Sequence, residues 1–296
     1  MPSPSTYGGQ AVIEGVMIRG ARAMAIAVRR PDGSIALTSE HLGSIYTGTV
    51  RRVPLLRGII VLWETLVLGM KALTWSAAMA ADEVDEHGEA KSMGLAGWLG
   101  VIVSMTFGVG LFFLVPVLGT TWLTPYLPGF VVVLIEGLVR LVLLVGYIWL
   151  ISRSEDIQRV FQYHGAEHMT IHAFEQGREL TVQAIRRFAK EHPRCGTSFL
   201  LTVGIVAIFV FALLGDPPLW WRLTSRVVLV PVIAAIAYET IRFASFHQHL
   251  PIVRWLFAGN IALQYLTTRV PDDEQIQVAI ASLERAVAED RRASAV

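Results

Sequence analysis

SMGLAGWLGVIVSMTFGVGLFFLVPVLGTTWLTPYLPGFVVVLI, Ser92–Ile135, contains no charged residue. A bilayer-spanning helix needs about 20 apolar residues, so this stretch is too long for one span and long enough for two. Pro116, Pro125 and Pro128 break it near the middle. The breaks predict a span over about Leu95–Leu118, a short turn, and a second span over Gly129–Ile151. Composition agrees, with 53% of the 296 residues hydrophobic and 17% charged. A soluble domain carries about 25% charged residues. With a mean hydropathy of +0.52, the chain is not expected to be a soluble enzyme, a disordered chain or a nucleic-acid binder. The lipid bilayer is the expected partner, with other membrane proteins as further candidates. The one cysteine, Cys195, excludes an internal disulfide framework.

Working outward, a third span is expected from Cys195 to about Leu214, closed by Gly215-Asp216-Pro217-Pro218, and a fourth over about Arg226–Phe243. Two other apolar segments are interrupted: Pro54–Ala81 by Arg57, Glu64 and Lys71, and Leu250–Leu266 by Arg254, Gly259 and Asn260. Basic residues arbitrate. Seven arginines from Arg19 to Arg57 lie before or at the start of the first doubtful segment. Arg153, Arg159, Arg178, Arg186, Arg187, Lys190 and Arg194 fill the loop between spans two and three, whereas Gly119–Pro128 has no charge. The positive-inside rule then favours four spans with both termini cytoplasmic. It leaves Pro54–Ala81 as a re-entrant or interfacial helix pair and Leu250–Leu266 as an interfacial helix.

The chain thus reads as mainly α, a polytopic helical membrane protein in six parts. These are a β-rich cytoplasmic segment 1–53, interfacial or re-entrant helices with an acidic loop 54–94, two spans 95–151, a cytoplasmic helical loop 152–194, two spans 195–243, and interfacial and cytoplasmic helices 244–296. Met1–Gln10 lacks the basic and apolar regions of a signal peptide. Ala23–Arg29 and Ser34–Ser39 flank Pro31-Asp32-Gly33, which predicts a β-hairpin. After Pro271, Ile276, Ala279, Ile280, Leu283 and Val287 recur at helical spacing, an amphipathic helix opened by acidic capping residues.

The densest chemistry lies in Tyr163-His164-Gly165-Ala166-Glu167-His168-Met169-Thr170-Ile171-His172. On a helix His164 and His168 point the same way, one turn apart, with Glu167 beside them. Two such imidazoles can bind a divalent metal, with zinc favoured, and an adjacent carboxylate can take a proton from metal-bound water. H-x-x-E-H is also the inverzincin string. A wet polar helix face is the plainer alternative. Cys195 and Glu239 fall at the same expected depth and are candidates for a third ligand, although Glu239 could simply pair with Arg242. His192-Pro193-Arg194-Cys195 is a second constellation that could complete the site or mark a span-start turn around an inert thiol. His247 and His249 are reserve ligands. Glu136 and Arg140, four apart inside the second span, are expected to neutralise each other. Gly8–Gly20, GGQAVIEGVMIRG, is not a P-loop. It encloses Glu14 and Arg19, and reads either as a close backbone approach to the site or as a strand with turns at both ends.

GGQAVIEGVMIRG, YHGAEH (Tyr163–His168), HPRCGTSF (His192–Phe199), VPVIAAIAYE (Val230–Glu239) and TTRVPDD (Thr267–Asp273) together resemble the motif blocks of the uncharacterised bacterial YqhQ-like membrane proteins. The resemblance covers nearly the whole chain. It implies a bacterial inner-membrane protein with a suggested metal dependence and no defined reaction. The matching positions are Glu14, Arg19, His164, Glu167, His168, His192, Arg194, Cys195 and Glu239. Met169 stands where the family usually has a lysine. The expectation is therefore a metal centre at the cytoplasmic face, with ligands among His164, His168, Glu239 and Cys195. Glu167 would act as base in a hydrolase, and His172 and His192 stand nearby. A non-catalytic scaffold or assembly factor is the competing class.

Overall fold

The computed structural model describes residues 7–48, 50, 53–85, 90–91, 94–192, 195–215, 217–247 and 249–295. Strands β1 (Gly8–Val12), β2 (Gly15–Arg19), β3 (Ala23–Arg29) and β4 (Ile35–His41) form an antiparallel meander in sequence order. The expected hairpin is its β3–β4 half. There Gly33 adopts φ 83° and Asp32 Oδ1 accepts from the Ser34 N–H at 2.8 Å. The glycine-punctuated string is the β1–β2 half, turning at Ile13-Glu14 with Glu14 at φ 51°.

The central strands β2 and β3 are buried on both faces. Val16, Ile18, Ala25 and Ala27 point one way, while Met17, Met24, Ile26 and Val28 point the other, as a period of two requires. The first set packs on α6 (Glu155–Glu175) and α13 (Asp273–Ala295). The second packs on the C-terminal half of α2 (Leu56–Ala80), through Leu68, Ala72 and Met79. α13 is the expected amphipathic helix, opened by a reciprocal capping box. In it Asp272 Oδ1 accepts from the Gln275 N–H at 2.8 Å, and Gln275 Oε1 accepts from the Asp272 N–H at 3.0 Å.

Between β4 and α6 lie the short α1 (Ser44–Thr47), α2, α3 (Leu95–Val109), a π-helical stretch Gly110–Leu114, α4 (Val115–Thr121) and α5 (Gly129–Ile151). Beyond α6 come α7 (Val182–Ile185), α8 (Gly196–Leu213), α9 (Leu219–Val228), α10 (Val230–Phe246), α11 (Pro251–Leu256) and α12 (Ala258–Thr267). Leu95–Thr121 and Gly129–Ile151 are long and apolar enough to cross a membrane, and α9 with α10, bent by 52°, makes a third candidate if counted as one span. α3 has no buried residue, an arrangement suited to hydrocarbon rather than to water.

Three expectations change. Pro54–Ala81 is one continuous helix, not a pair. No proline interrupts it, and its glycines serve close approach: a Cβ on Gly58 would lie 2.6 Å from Ala235 Cα, and one on Gly69 2.9 Å from the Gln10 side chain. Leu250–Leu266 is two helices, because the chain turns at Phe257. The segment expected to begin at Arg226 starts earlier, and Arg226 lies in α9, ahead of the bend before Pro231.

Candidate metal centre

α6 starts after Ser154 with Glu155 and Asp156 in its first turn, where acidic side chains complement the helix dipole. It ends at Gly177, φ 64°, in a Schellman closure. The Gly177 N–H reaches Phe174 O, and the Arg178 N–H reaches Ala173 O at 2.9 Å. Tyr163–Ile171 is buried throughout, so His164, Glu167 and His168 are held inside the molecule.

The two histidines are set up alike. His164 Nδ1 is 2.8 Å from Thr267 O, and His168 Nδ1 is 2.6 Å from Lys190 O. A carbonyl only accepts, so both rings carry their proton on Nδ1 and present a lone pair on Nε2. A backbone carbonyl behind the ring is the support that metal-binding histidines commonly have. His164 Nε2 faces Cys195 Sγ at 3.1 Å. His168 Nε2 is buried without a hydrogen-bond partner among the described residues. The ligand atoms of His164, His168 and Cys195 lie within 4.8 Å of one another, and the thiol with two imidazole nitrogens is a donor set that suits zinc. The residues present therefore fit such an ion.

Burial holds the His168 imidazole well below its ordinary pKa and pushes that of His192 down to about 4. Burial raises the Glu167 carboxyl to about 7. Glu167 Oε2 sits 3.5 Å from His168 Nε2, and the Gly9 backbone N–H donates to the carboxylate. A Cβ on Gly9 would lie 2.7 Å from Glu167 Cγ. The glycine string is thus both a strand and a close approach to the site.

His172, Glu175 and His192 form a neighbouring group with ligand atoms also within 4.8 Å of one another. His172 Nε2 is 2.9 Å from Glu191 O. The His192 backbone is clamped on both sides by Gln264, whose Oε1 accepts from His192 N at 2.8 Å and whose Nε2 donates to His192 O at 2.9 Å.

Glu239 is not brought to this cluster. It is ion-paired with Arg57, from α2, and accepts from the Leu55 N–H at 3.1 Å. Nearness in sequence to Arg242 misdirects here, because α10 turns Glu239 toward α2. Glu14 pairs with Arg159 at 2.6 Å and Tyr163 at 3.2 Å. Arg19 pairs with Glu64 at 3.0 Å. Glu14 thus braces the sheet against α6, ahead of its histidines, and Arg19 braces it against α2. Arg194 lies outside the described residues. His247 is half-buried and bonded to Phe243 O, apart from the cluster.

Sequence reasoning missed Lys190, Gln264 and Thr267. Two of them act through backbone carbonyls, which no side-chain pattern reveals. The TTRVPDD block held the signal for Thr267. In the same block Arg269 lies so close to Gly165 that a Cβ there would run into its carbonyl oxygen.

A mainly helical chain with a small sheet, apolar helices suited to a membrane, and a buried His–His–Cys grouping defines the class. The chain belongs to the family described as "Protein of unknown function (DUF1385)", whose model matches residues 53–289. It is 39% identical over 292 residues to "Uncharacterized protein YqhQ" of Bacillus subtilis (strain 168), covering 94% of this chain and 91% of that one. No solved structure matches.

Proposed function

We propose that the protein is a four-span protein of the bacterial inner membrane that holds a divalent metal, zinc, at its cytoplasmic face and hydrolyses a substrate there. Two observations support the membrane arrangement. The sheet, α6 and α13 pack together around one core, so each intervening segment must cross the bilayer an even number of times. Two crossings before α6 and two after it, with α8 and α9–α10 as the second pair, satisfy that parity, whereas a crossing by α2 breaks it. The basic residues on this domain match the positive-inside rule.

The observation that carries the metal reading is the paired tautomer: both Nδ1–H groups are committed to carbonyls, and His164 Nε2 faces the thiol. His164, His168 and Cys195 would be ligands. The bound ion would supply Lewis acidity and an activated water. Glu167, with its carboxyl near 7, is matched to accepting and returning a proton at neutral pH, and Gly9 holds it in position.

Metal analysis of the purified protein beside a His164→Ala/His168→Ala variant tests this. About one ion per chain, lost in the variant, is expected, and absence of stoichiometric metal in the parent sinks the reading. Burial of the whole cluster favours a second reading, a closed structural centre in a membrane scaffold or assembly factor. Glu167→Gln separates them: with metal retained, biological activity is lost in a hydrolase and kept in a scaffold.

A further inference from the structure

Away from the histidines, three guanidiniums converge on one carboxylate between the apolar helices. Arg226 grips Glu136 with two bonds of 2.9 Å, Arg140 adds one of 2.9 Å from the next turn of α5, and Arg222 adds one of 3.3 Å. The four side chains are nearly inaccessible, from 1% for Glu136 to 11% for Arg140. Arginine stays protonated in proteins. Among the described residues, two of the three cationic charges are therefore left without a carboxylate. The other acid among the described residues of these helices, Glu239, is taken by Arg57. The ring of Phe211, 3.9 Å from the Arg226 guanidinium and 5.6 Å from that of Arg140, attenuates the surplus but supplies no counter-charge.

α9 is built to hold this surplus inside. Leu219, Trp220, Val227 and Val228 are exposed, while Arg222, Ser225 and Arg226 are buried. On a helix at the water interface the arginines would face out. Here they face in, which is costly unless they are functional or paired. Arg222 uses one of its five donors among the described residues. Arg222 and Arg140 are also the more accessible members, at 7% and 11% against 2% for Arg226. They bond opposite oxygens of Glu136, Oε1 and Oε2, and are the less enclosed edge of the cluster. On the four-span reading this edge lies in the outer half of the bilayer, near the uncharged turn before α5.

We propose that the Arg222–Arg140 edge binds a phosphate-bearing anion, with Glu136 fixing the three guanidiniums in place. The planar guanidinium fork matches phosphate oxygens. An anionic phospholipid headgroup and inorganic phosphate share this chemistry. The inference rests on the membrane reading and is independent of the metal.

The full chain, purified in dodecyl maltoside, tests it with two probes. Inorganic phosphate is titrated against the thermal unfolding midpoint, and native mass spectrometry counts phosphatidylglycerol retained against phosphatidylcholine. Stabilisation by phosphate identifies the free anion as sufficient, and retention of phosphatidylglycerol alone identifies the headgroup. Either result supports the site. Arg222→Gln should weaken the response about tenfold, the loss of one charge-assisted bond. Arg222→Lys should retain part of it. His164→Ala should respond as the parent does, even if the metal reading fails. Should Arg222→Gln not fold, Arg140→Gln provides the same comparison. No response of the parent to either probe, or parental binding in both arginine variants, overturns the proposal.

Discussion

His164 Nε2 and Cys195 Sγ lie 3.1 Å apart although 31 positions separate them along the chain. A buried helix supplies the imidazole, and the residue that opens α8 supplies the thiol. Replacement of sulfur by oxygen keeps the shape and weakens the donor. Loss of an outer-shell partner alone costs about 10–100-fold in metal affinity. Cys195→Ser is therefore expected to lose zinc at least about 100-fold more readily, as read by competition with a chromogenic chelator, while the far-ultraviolet dichroism stays that of the parent.

Gly9→Ala adds a Cβ 2.7 Å from both Glu167 Cγ and Met17 O. The strand cannot yield without breaking its pairing, so Glu167 must move. We expect a loss of about 1–3 kcal/mol in stability, together with a larger fall in any Glu167-dependent activity than in metal content. Thermal unfolding and metal analysis on one preparation separate the two effects.

Asp290 on α13 accepts from three successive backbone N–H groups, those of Ala21, Arg22 and Ala23, at 2.7, 2.8 and 2.9 Å. Asp290→Ala leaves these donors without their acceptor and is expected to cost about 3 kcal/mol or more. Asp290→Asn keeps one oxygen and should cost less. A smaller loss in Asp290→Ala than in Asp290→Asn, measured by urea unfolding, contradicts the pinning role.

Glu14 is held below its ordinary value of 4.5, chiefly by its hydrogen bonds to Arg159. A carboxylate with a depressed folded pKa contributes stability that is complete above the unfolded pKa and is lost as pH falls through the folded one. The pair should therefore persist at pH 4.5 and fail below it. Half-exposure of Arg159 limits the gain to under about 1 kcal/mol. Glu14→Gln should flatten the acid limb of stability against pH below 4.5 and leave the neutral range almost unchanged.

In a Cys195→Ala background, single cysteines replacing Arg178 and Arg291, both exposed, should react with an impermeant maleimide only when the cytoplasmic face is open. One replacing the exposed Tyr126 should react from the opposite side. Labelling of all three from one face refutes the four-span arrangement.

What the sequence made legible depended on how local each interaction is. The His164–His168 pairing follows from helical spacing, and Glu136–Arg140 is visible as an i, i+4 pair. Arg222 and Arg226 lie 86 and 90 positions from Glu136, so nothing in the local pattern signals them. Glu239 stands beside Arg242 but pairs with Arg57, 182 positions away. β1 and β2 are masked by glycine and by Glu14, whose positive φ makes the turn. The two buried faces of β2 and β3 also erase the polar alternation that marks a half-exposed strand.

The bond between Asp290 and Ala21 joins residues 269 positions apart. The sheet that receives it is therefore translated early and finished late. If the apolar helices enter a membrane as proposed, β2 and β3 have by then left the ribosome without α13, and their Val16, Ile18, Ala25 and Ala27 face remains uncovered. On the four-span proposal, assembly of this domain is thus a report on insertion. An odd number of crossings leaves the two halves on opposite sides, unable to meet, and exposes that apolar face to quality-control proteases.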